Sequence, residues 1–265
     1  MGEAVGLITV LRRLLPRPAR RALRIAAAEL PRRVHDLVPD LLHRDDLPPA
    51  SLRFHVAGSS DRRSFVTIGA SAAHELVDAA GRYREPAALR DVLDFGCGCG
   101  RVARHMPGLL PNARLSGIDV DARTIRWCAR HLPGAWHAIE PDPPTALPAG
   151  AFDLVYAVSV FTHLSEERQR AWISELHRLL RSGGLLIVTT LGPELVWSRP
   201  DLDAGQRERL ASHGFVFAPG AASFNEDSSF QTRPYLEREW QGFELLEHTT
   251  HGLARYQDLS VFRRV

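Results

Sequence analysis

Residues 92 to 101 read Val-Leu-Asp-Phe-Gly-Cys-Gly-Cys-Gly-Arg, an apolar run that meets an acid and then three glycines at alternate positions. Glycine lets a backbone turn tightly and approach a ligand closely. A ligand held by such a loop lies at the C-terminal edge of a sheet, beside the start of the next helix. The dinucleotide fingerprint G-x-G-x-x-G puts its third glycine three residues after the second. Here that position is Arg101, and the spacing is G-x-G-x-G through Gly96, Gly98 and Gly100. Asp94 would repel a pyrophosphate and attract an ammonium group. Asp119 follows Gly96 by 23 residues, closing the run Gly117-Ile118-Asp119. A carboxylate at that spacing can accept from both hydroxyls of a ribose.

Other chemistries are excluded by composition. The chain contains no lysine, so its 33 basic residues are all arginine. Arginine neither forms a Schiff base nor serves as a general base near neutral pH. Pyridoxal-phosphate chemistry and the P-loop phosphate grip are thereby ruled out. The three cysteines are Cys97, Cys99 and Cys128, an odd number with two in one loop. That is no secreted disulfide framework, and a reducing cytoplasm is the expected location. Zinc would need two more ligands at a suitable spacing. His105 and Cys128 form no knuckle pattern, so Cys97 and Cys99 are read as small loop residues. A net charge of +2 does not point to nucleic acid. No stretch approaches the ~20 consecutive apolar residues of a spanning helix.

These residues require a scaffold, and 45% apolar and 24% charged residues suffice for a core without disulfides or metals. Strands are expected at Asp91–Phe95, Arg114–Ile118, Ala135–Ile139, Phe152–Val158 and Leu185–Thr190. Helices are expected at Arg101–His105, Ala122–Leu132 and Glu166–Leu180, with Asp121 and Ser165 as N-caps and Gly183 past the end of the last. Such alternation predicts a doubly wound, mostly parallel α/β sheet. Phe243–Thr249 and Leu259–Arg263 are joined by too short a segment for a helical crossover, so they should form an antiparallel hairpin. Upstream, Leu52–Val56 alternates like a short strand, and Ser71–Tyr83 reads as a helix. The first 34 residues carry eight arginines against Glu3 and Glu29, on two helical runs broken by Pro16 and Pro18.

The stretch from Asp94 to Gly100 resembles the first motif of the class I S-adenosylmethionine-dependent methyltransferases, in which an acid precedes G-x-G-x-G. Gly117-Ile118-Asp119, Phe152-Asp153-Leu154-Val155-Tyr156, Ser182-Gly183-Gly184-Leu185 and the closing hairpin extend the resemblance over residues 85 to 265. It implies a Rossmann-like fold of seven strands and S-adenosylmethionine as cofactor. Asp94, Gly96, Cys97, Gly98, Gly100, Asp119, Val120 and Ser159 would then line the cofactor site. Ser159 stands where metal-assisted members carry an acid, so no metal is implied. Asp142-Pro143-Pro144-Thr145 looks like the motif of base methyltransferases but precedes the fourth strand instead of following it. It is read as an adenine-side wall.

His163, just past the fourth strand, has a pKa suited to taking a proton from a hydroxyl or amine. It is the candidate general base, with a capping or packing role as the alternative. The acceptor is expected to be a small molecule met by Phe161 and by the insertion 192–241, through Phe224, Glu226, Tyr235 and Trp240. A peptide acceptor and a non-catalytic cofactor-binding scaffold are the alternatives. The expected division is an N-terminal helical cap, 1–85, and a methyltransferase domain, 86–265. Residues 1–50 and 192–241 together are expected to act as a lid. A membrane-surface contact by residues 1–34, or a homodimer face, would be other uses of the basic helices.

Overall fold

The computed structural model describes residues 47–199, 201–220 and 227–265. The helices expected in the basic N-terminal segment, and Phe224, Asn225 and Glu226, fall outside the described residues. The chain divides into two compact units, Met1–Arg62 and Arg63–Val265. That boundary lies ahead of the expected 85/86. The reason is helix α2 (Arg62–Gly81), whose Gly69 abuts the Arg101 carbonyl and whose Glu75 accepts from Ala254 N–H at 2.8 Å.

In the first unit, α1 (Ala50–Ala57) replaces the strand expected at Leu52–Val56. Alternation over five residues does not by itself select a strand, because a strand also needs a partner for its backbone groups. The helix closes instead on Gly58, at φ +66°, whose N–H donates to Phe54 O at 2.8 Å. Buried Arg53 then ties the helix to the carbonyls of Ser60 and Pro48.

The second unit alternates as the sequence predicts. Strand β1 (Asp91–Phe95) leads through the glycine loop to a single helical turn, α3 (Met106–Leu109). The helix expected at Arg101–His105 is only a short 3-10 turn, Ala103–His105. Then come β2 (Arg114–Asp119), α4 (Ala122–His131), β3 (Ala135–Ala138), β4 (Phe152–Ala157), α5 (Glu166–Leu179) and β5 (Leu180–Thr190). Asp121 caps α4 by accepting from Arg123 N–H, and Ser165 caps α5 by accepting from Arg168 N–H. Strand β5 starts directly after α5, five residues earlier than expected, and takes in Gly183 at φ +72°.

The insertion holds α6 (Ala204–His213), β6 (Phe215–Ala218), β7 (Ser228–Gln231) and α7 (Arg233–Glu239). The chain closes on β8 (Phe243–Leu253) and β9 (Gln257–Arg264). The main sheet runs β3-β2-β1-β4-β5-β9-β8, while β6 and β7 pair separately. Pairs among the first five strands are parallel, and β9 is antiparallel to both β5 and β8. All the parallel tips therefore meet at one edge, with β1 central. Its start is fixed by buried Asp153 of β4, which accepts from Arg90 N–H at 2.9 Å, Asp91 N–H at 3.0 Å and Arg181 Nη1 at 2.8 Å. The core against α5 includes Phe95, Val155, Trp172, Leu176, Val188 and Phe262. Among the described residues, no helix is long and apolar enough to cross a membrane.

Candidate functional site

Strand β1 delivers the chain into a loop whose three glycines all have positive φ: +74° at Gly96, +52° at Gly98 and +73° at Gly100. A β-carbon on Gly96 would overlap Val160 Cγ2, and one on Gly100 would overlap Leu132 Cδ1. Both positions combine left-handed backbone with no room for a side chain, which only glycine satisfies without strain. The three cysteines around the loop are buried and not joined in disulfides, and burial pushes the Cys97 thiol well up. Among the described residues, no group of three or more His, Cys, Asp or Glu is placed to hold a metal ion.

Asp94, at 3% exposure, accepts a hydrogen bond from Tyr156 Oη at 3.0 Å. Burial pushes its pKa up to about 8, with Asp119 adding to the rise, against the Tyr156 bond and the Arg101 charge. A buried carboxylate in that state gains from a cation brought to it. Asp119 Oδ2 accepts from Gly98 N–H and Oδ1 from Asp121 N–H, both at 2.8 Å. The side chain at the tip of β2 thus holds the glycine loop in register with the start of α4. A carboxylate oxygen accepts more than one bond, so this anchoring is compatible with a diol at the same side chain. Val120, next along, is 44% exposed, an apolar surface at the sheet edge suited to the face of a flat base.

Beside this tip, Ile139 N–H donates to Asp119 O at 3.0 Å, and the chain turns into the Asp142–Thr145 segment. The turn borders a cavity of about 380 Å³ lined by residues that include His137, Ile139, Glu140, Pro144 and Leu147. Thr145 anchors the segment through N–H and Oγ1, which donate to Glu175 Oε1 at 2.8 and 2.6 Å. Burial alone would raise the Glu175 pKa, but Arg178 and Thr145 together bring it down to about 2.

Past β4, Ser159 has φ +60°; its N–H donates to Thr189 Oγ1 at 2.8 Å and its Oγ accepts from Gln257 Nε2 at 2.6 Å. His163 Nδ1 lies 2.7 Å from Asp227 O. A carbonyl only accepts, so Nδ1 carries the proton and Nε2 the lone pair. Burial lowers the His163 pKa, against a smaller opposing effect of Asp227, and favours the neutral ring. The rings expected around an acceptor are packed instead. Phe161 is fully buried, 6.1 Å from Phe95 and 4.9 Å from Trp240 between ring centroids, and Trp240 lies 4.8 Å from Phe262. Tyr235, 1% exposed, packs on Phe215, and its hydroxyl donates to Glu166 at 3.2 Å. Tyr235 and Trp240 are core residues of α7 and its end, because an aromatic-rich insertion of this length must bury its own rings. Tyr156, Thr189 and Gln257 were missed as site residues. Tyr156 had a signal, the lone hydroxyl in a strand beside β1 that is otherwise apolar apart from Asp153.

Residues 92–184 match the model of a methyltransferase domain family. A malonyl-acyl-carrier-protein O-methyltransferase from Paenibacillus sp. is 29% identical over 148 residues, 52% of this chain and 51% of that protein. A trans-aconitate 2-methyltransferase from Azoarcus sp. is 33% identical over 98 residues, 37% of each. The chain thus spans about half or less of the length of these curated relatives. In fold, a S-adenosylmethionine-dependent methyltransferase from Aquifex aeolicus superposes with a TM-score of 0.54 at 15% identity, covering 83% of this chain and all of that one. The sheet order, the acid before three alternating glycines and the second acid at the tip of β2 agree with these likenesses: residues 92–184 carry a methyltransferase domain, on the Rossmann-like fold of S-adenosylmethionine-dependent methyltransferases.

Proposed function

We propose that this protein transfers the methyl group of S-adenosylmethionine to a small organic acceptor, with His163 as the general base. The observation that carries the reading is the convergence at one sheet edge of the Asp94–glycine loop, Asp119 and a neutral His163 held by Asp227 O. When bound, S-adenosylmethionine supplies a methyl carbon already made electrophilic by its sulfonium. The protein's tasks are then to bind, align and exclude water, and alignment in one line can supply ~7 kcal/mol or more of the barrier. Asp94 would face the ammonium end, Asp119 the ribose and Val120 the adenine, with the Asp142–Thr145 turn as the outer wall. His163 Nε2 takes a proton from a hydroxyl or amine, while the Nδ1–H bond to Asp227 fixes the ring plane.

The names of the two curated relatives specify trans-aconitate and a malonyl group on an acyl-carrier protein, which favours a small organic acid group, free or carrier-borne, over a peptide side chain. Three buried thiols outside any disulfide suit a reducing compartment, and we propose a cytoplasmic location. Methyl-labelled S-adenosylmethionine incubated with pools of small hydroxy, amino and carboxylic acids tests the reading. Label should enter a small product, and His163→Ala should reduce turnover by about 10²–10⁴-fold with little change in S-adenosylhomocysteine affinity. Cofactor binding without transfer to any pool would favour the scaffold alternative.

A further inference from the structure

The glycine loop and Asp119 occupy the tips of β1 and β2, so an acceptor belongs at the neighbouring tips of β4 and β5. There the protein buries hydrogen-bonding groups that its own atoms leave unsatisfied. Gln231 on β7 is fully buried, and among the described residues neither its Nε2 nor its Oε1 has a partner. Thr190, the last residue of β5, is fully buried with Oγ1 unpartnered. Thr162, after β4, is 1% exposed and in the same state. Gln169 donates through Nε2 to Phe161 O at 2.8 Å, yet its Oε1 has no partner.

Backbone bonds place these groups together. Gln231 N–H donates to Leu191 O at 2.9 Å, next to Thr190, and Ser229 N–H donates to Thr162 O at 2.8 Å. Gln231 pairs across β6–β7 with Phe215, so it shares the face directed to the main core. Thr190 follows the alternation of Leu186 and Val188, which belong to that same core.

A buried donor or acceptor without a partner is destabilising, and native proteins keep few. Several at one sheet edge indicate a partner that arrives from outside the chain. A carboxamide side chain offers one donor and one acceptor on the same edge. Another primary carboxamide, or a lactam, matches both in a pair of bonds, whereas a carboxylate matches only the N–H. We propose that Gln231, supported by Thr162 and Thr190, forms a specificity subsite that receives a carboxamide or lactam edge of the methyl acceptor. This rests on the methyl-transfer reading above.

Stability of the ligand-free protein separates a ligand subsite from a structural network. Gln231→Leu and Thr190→Val each remove an unsatisfied group, so each should raise Tm by about 2–4 °C, at unchanged S-adenosylhomocysteine affinity. Thr190→Val carries the same prediction should Gln231→Leu fail to fold. A drop of several degrees in the variants that fold would show that these groups are paired within the fold, and would overturn the subsite. In wild-type protein saturated with S-adenosylhomocysteine, acetamide and 2-pyrrolidone should shift the Gln231 side-chain amide resonances, and acetate should not. No shift, or an equal shift with acetate, would overturn the amide assignment. Failure of the wider reading looks different: the protein would not bind S-adenosylhomocysteine, while the two stability shifts would stand.

Discussion

Asp94 and Asp119 are both acids at strand tips, yet they occupy opposite situations. Asp94 is buried and held protonated up to pH about 8, chiefly by desolvation. Its folded pKa lies above the ordinary value of about 3.9, so the folded state binds more protons between these limits. The group therefore favours folding most below pH 4, and that contribution is lost as pH rises to 8. Pairing with a ligand ammonium favours the ionised form, so S-adenosylhomocysteine should bind more tightly as pH rises from 6 to 8, by up to tenfold per unit. Above 8 this dependence should level off. Calorimetry across that range should give a flat profile for Asp94→Asn; a flat wild-type profile would remove Asp94 from the ammonium site. Asp119 instead accepts two backbone bonds that brace the loop. Asp119→Asn should weaken S-adenosylhomocysteine binding by about 10- to 150-fold, the equivalent of ~1.5–3 kcal/mol for a hydrogen bond to a charged group. Circular dichroism should remain as in wild type, and an unaltered affinity would reject the ribose assignment.

The glycine loop and its surroundings act as one element. Gly96 needs a left-handed backbone, which costs a β-carbon-bearing residue roughly 1–2 kcal/mol. The added carbon would also overlap Val160, in the segment that leads from β4 to His163. Gly96→Ala should therefore destabilise by more than the backbone cost alone in urea unfolding, and it should displace His163 as well as the loop. Adding Val160→Ala removes the overlap and leaves the backbone cost. A favourable coupling of at least about 0.5 kcal/mol between the two substitutions is expected. Strict additivity would mean that the loop relieves the overlap in another direction. The Arg82–Glu247 pair, bidentate at 2.8 and 2.7 Å, links α2 to β8. Its arginine is half exposed, so by the measure of surface ion pairs it contributes at most about 1 kcal/mol, and packing of the α2 core residues carries that contact.

At the scale of the whole molecule, the second compact unit begins at Arg63, within α2, and contains every described residue of the candidate site. The arginine-rich first 34 residues lie outside that unit and outside the described residues. We expect deletion of residues 1–34 to preserve S-adenosylhomocysteine affinity and to abolish turnover of an identified acceptor, as a lid that keeps water from the reacting atoms requires. Full turnover by the truncated protein would exclude the lid. Loss of binding to anionic vesicles, or conversion to a monomer with activity retained, would assign the segment to a membrane contact or a dimer face.

Unlike the elements of the insertion, the order of strands β1–β5 with helices α4 and α5, the closing hairpin, the glycine loop and the positions of Asp94 and Asp119 were legible in the sequence alone. Each depends on neighbours within a few residues: an apolar run, a capping side chain, a glycine at a left-handed turn. Leu52–Val56 misled because five alternating residues fit either a strand or a helix, and the choice lay with Gly58 and with the lack of a partner strand among the described residues. Tertiary structure alone decided the contacts made across the sheet. Tyr156 reaches Asp94 from 62 residues away, Asp227 O reaches His163 from 64, and Gln257 reaches Ser159 from 98. It also sent Tyr235 and Trp240 into the core and left the buried Gln231 carboxamide without a partner among the described residues. Such pairings follow from strand order and register, in which a shift of one residue turns a side chain to the opposite face. Local sequence specifies which segments are strands, whereas the packing of the assembled sheet selects which of their side chains meet.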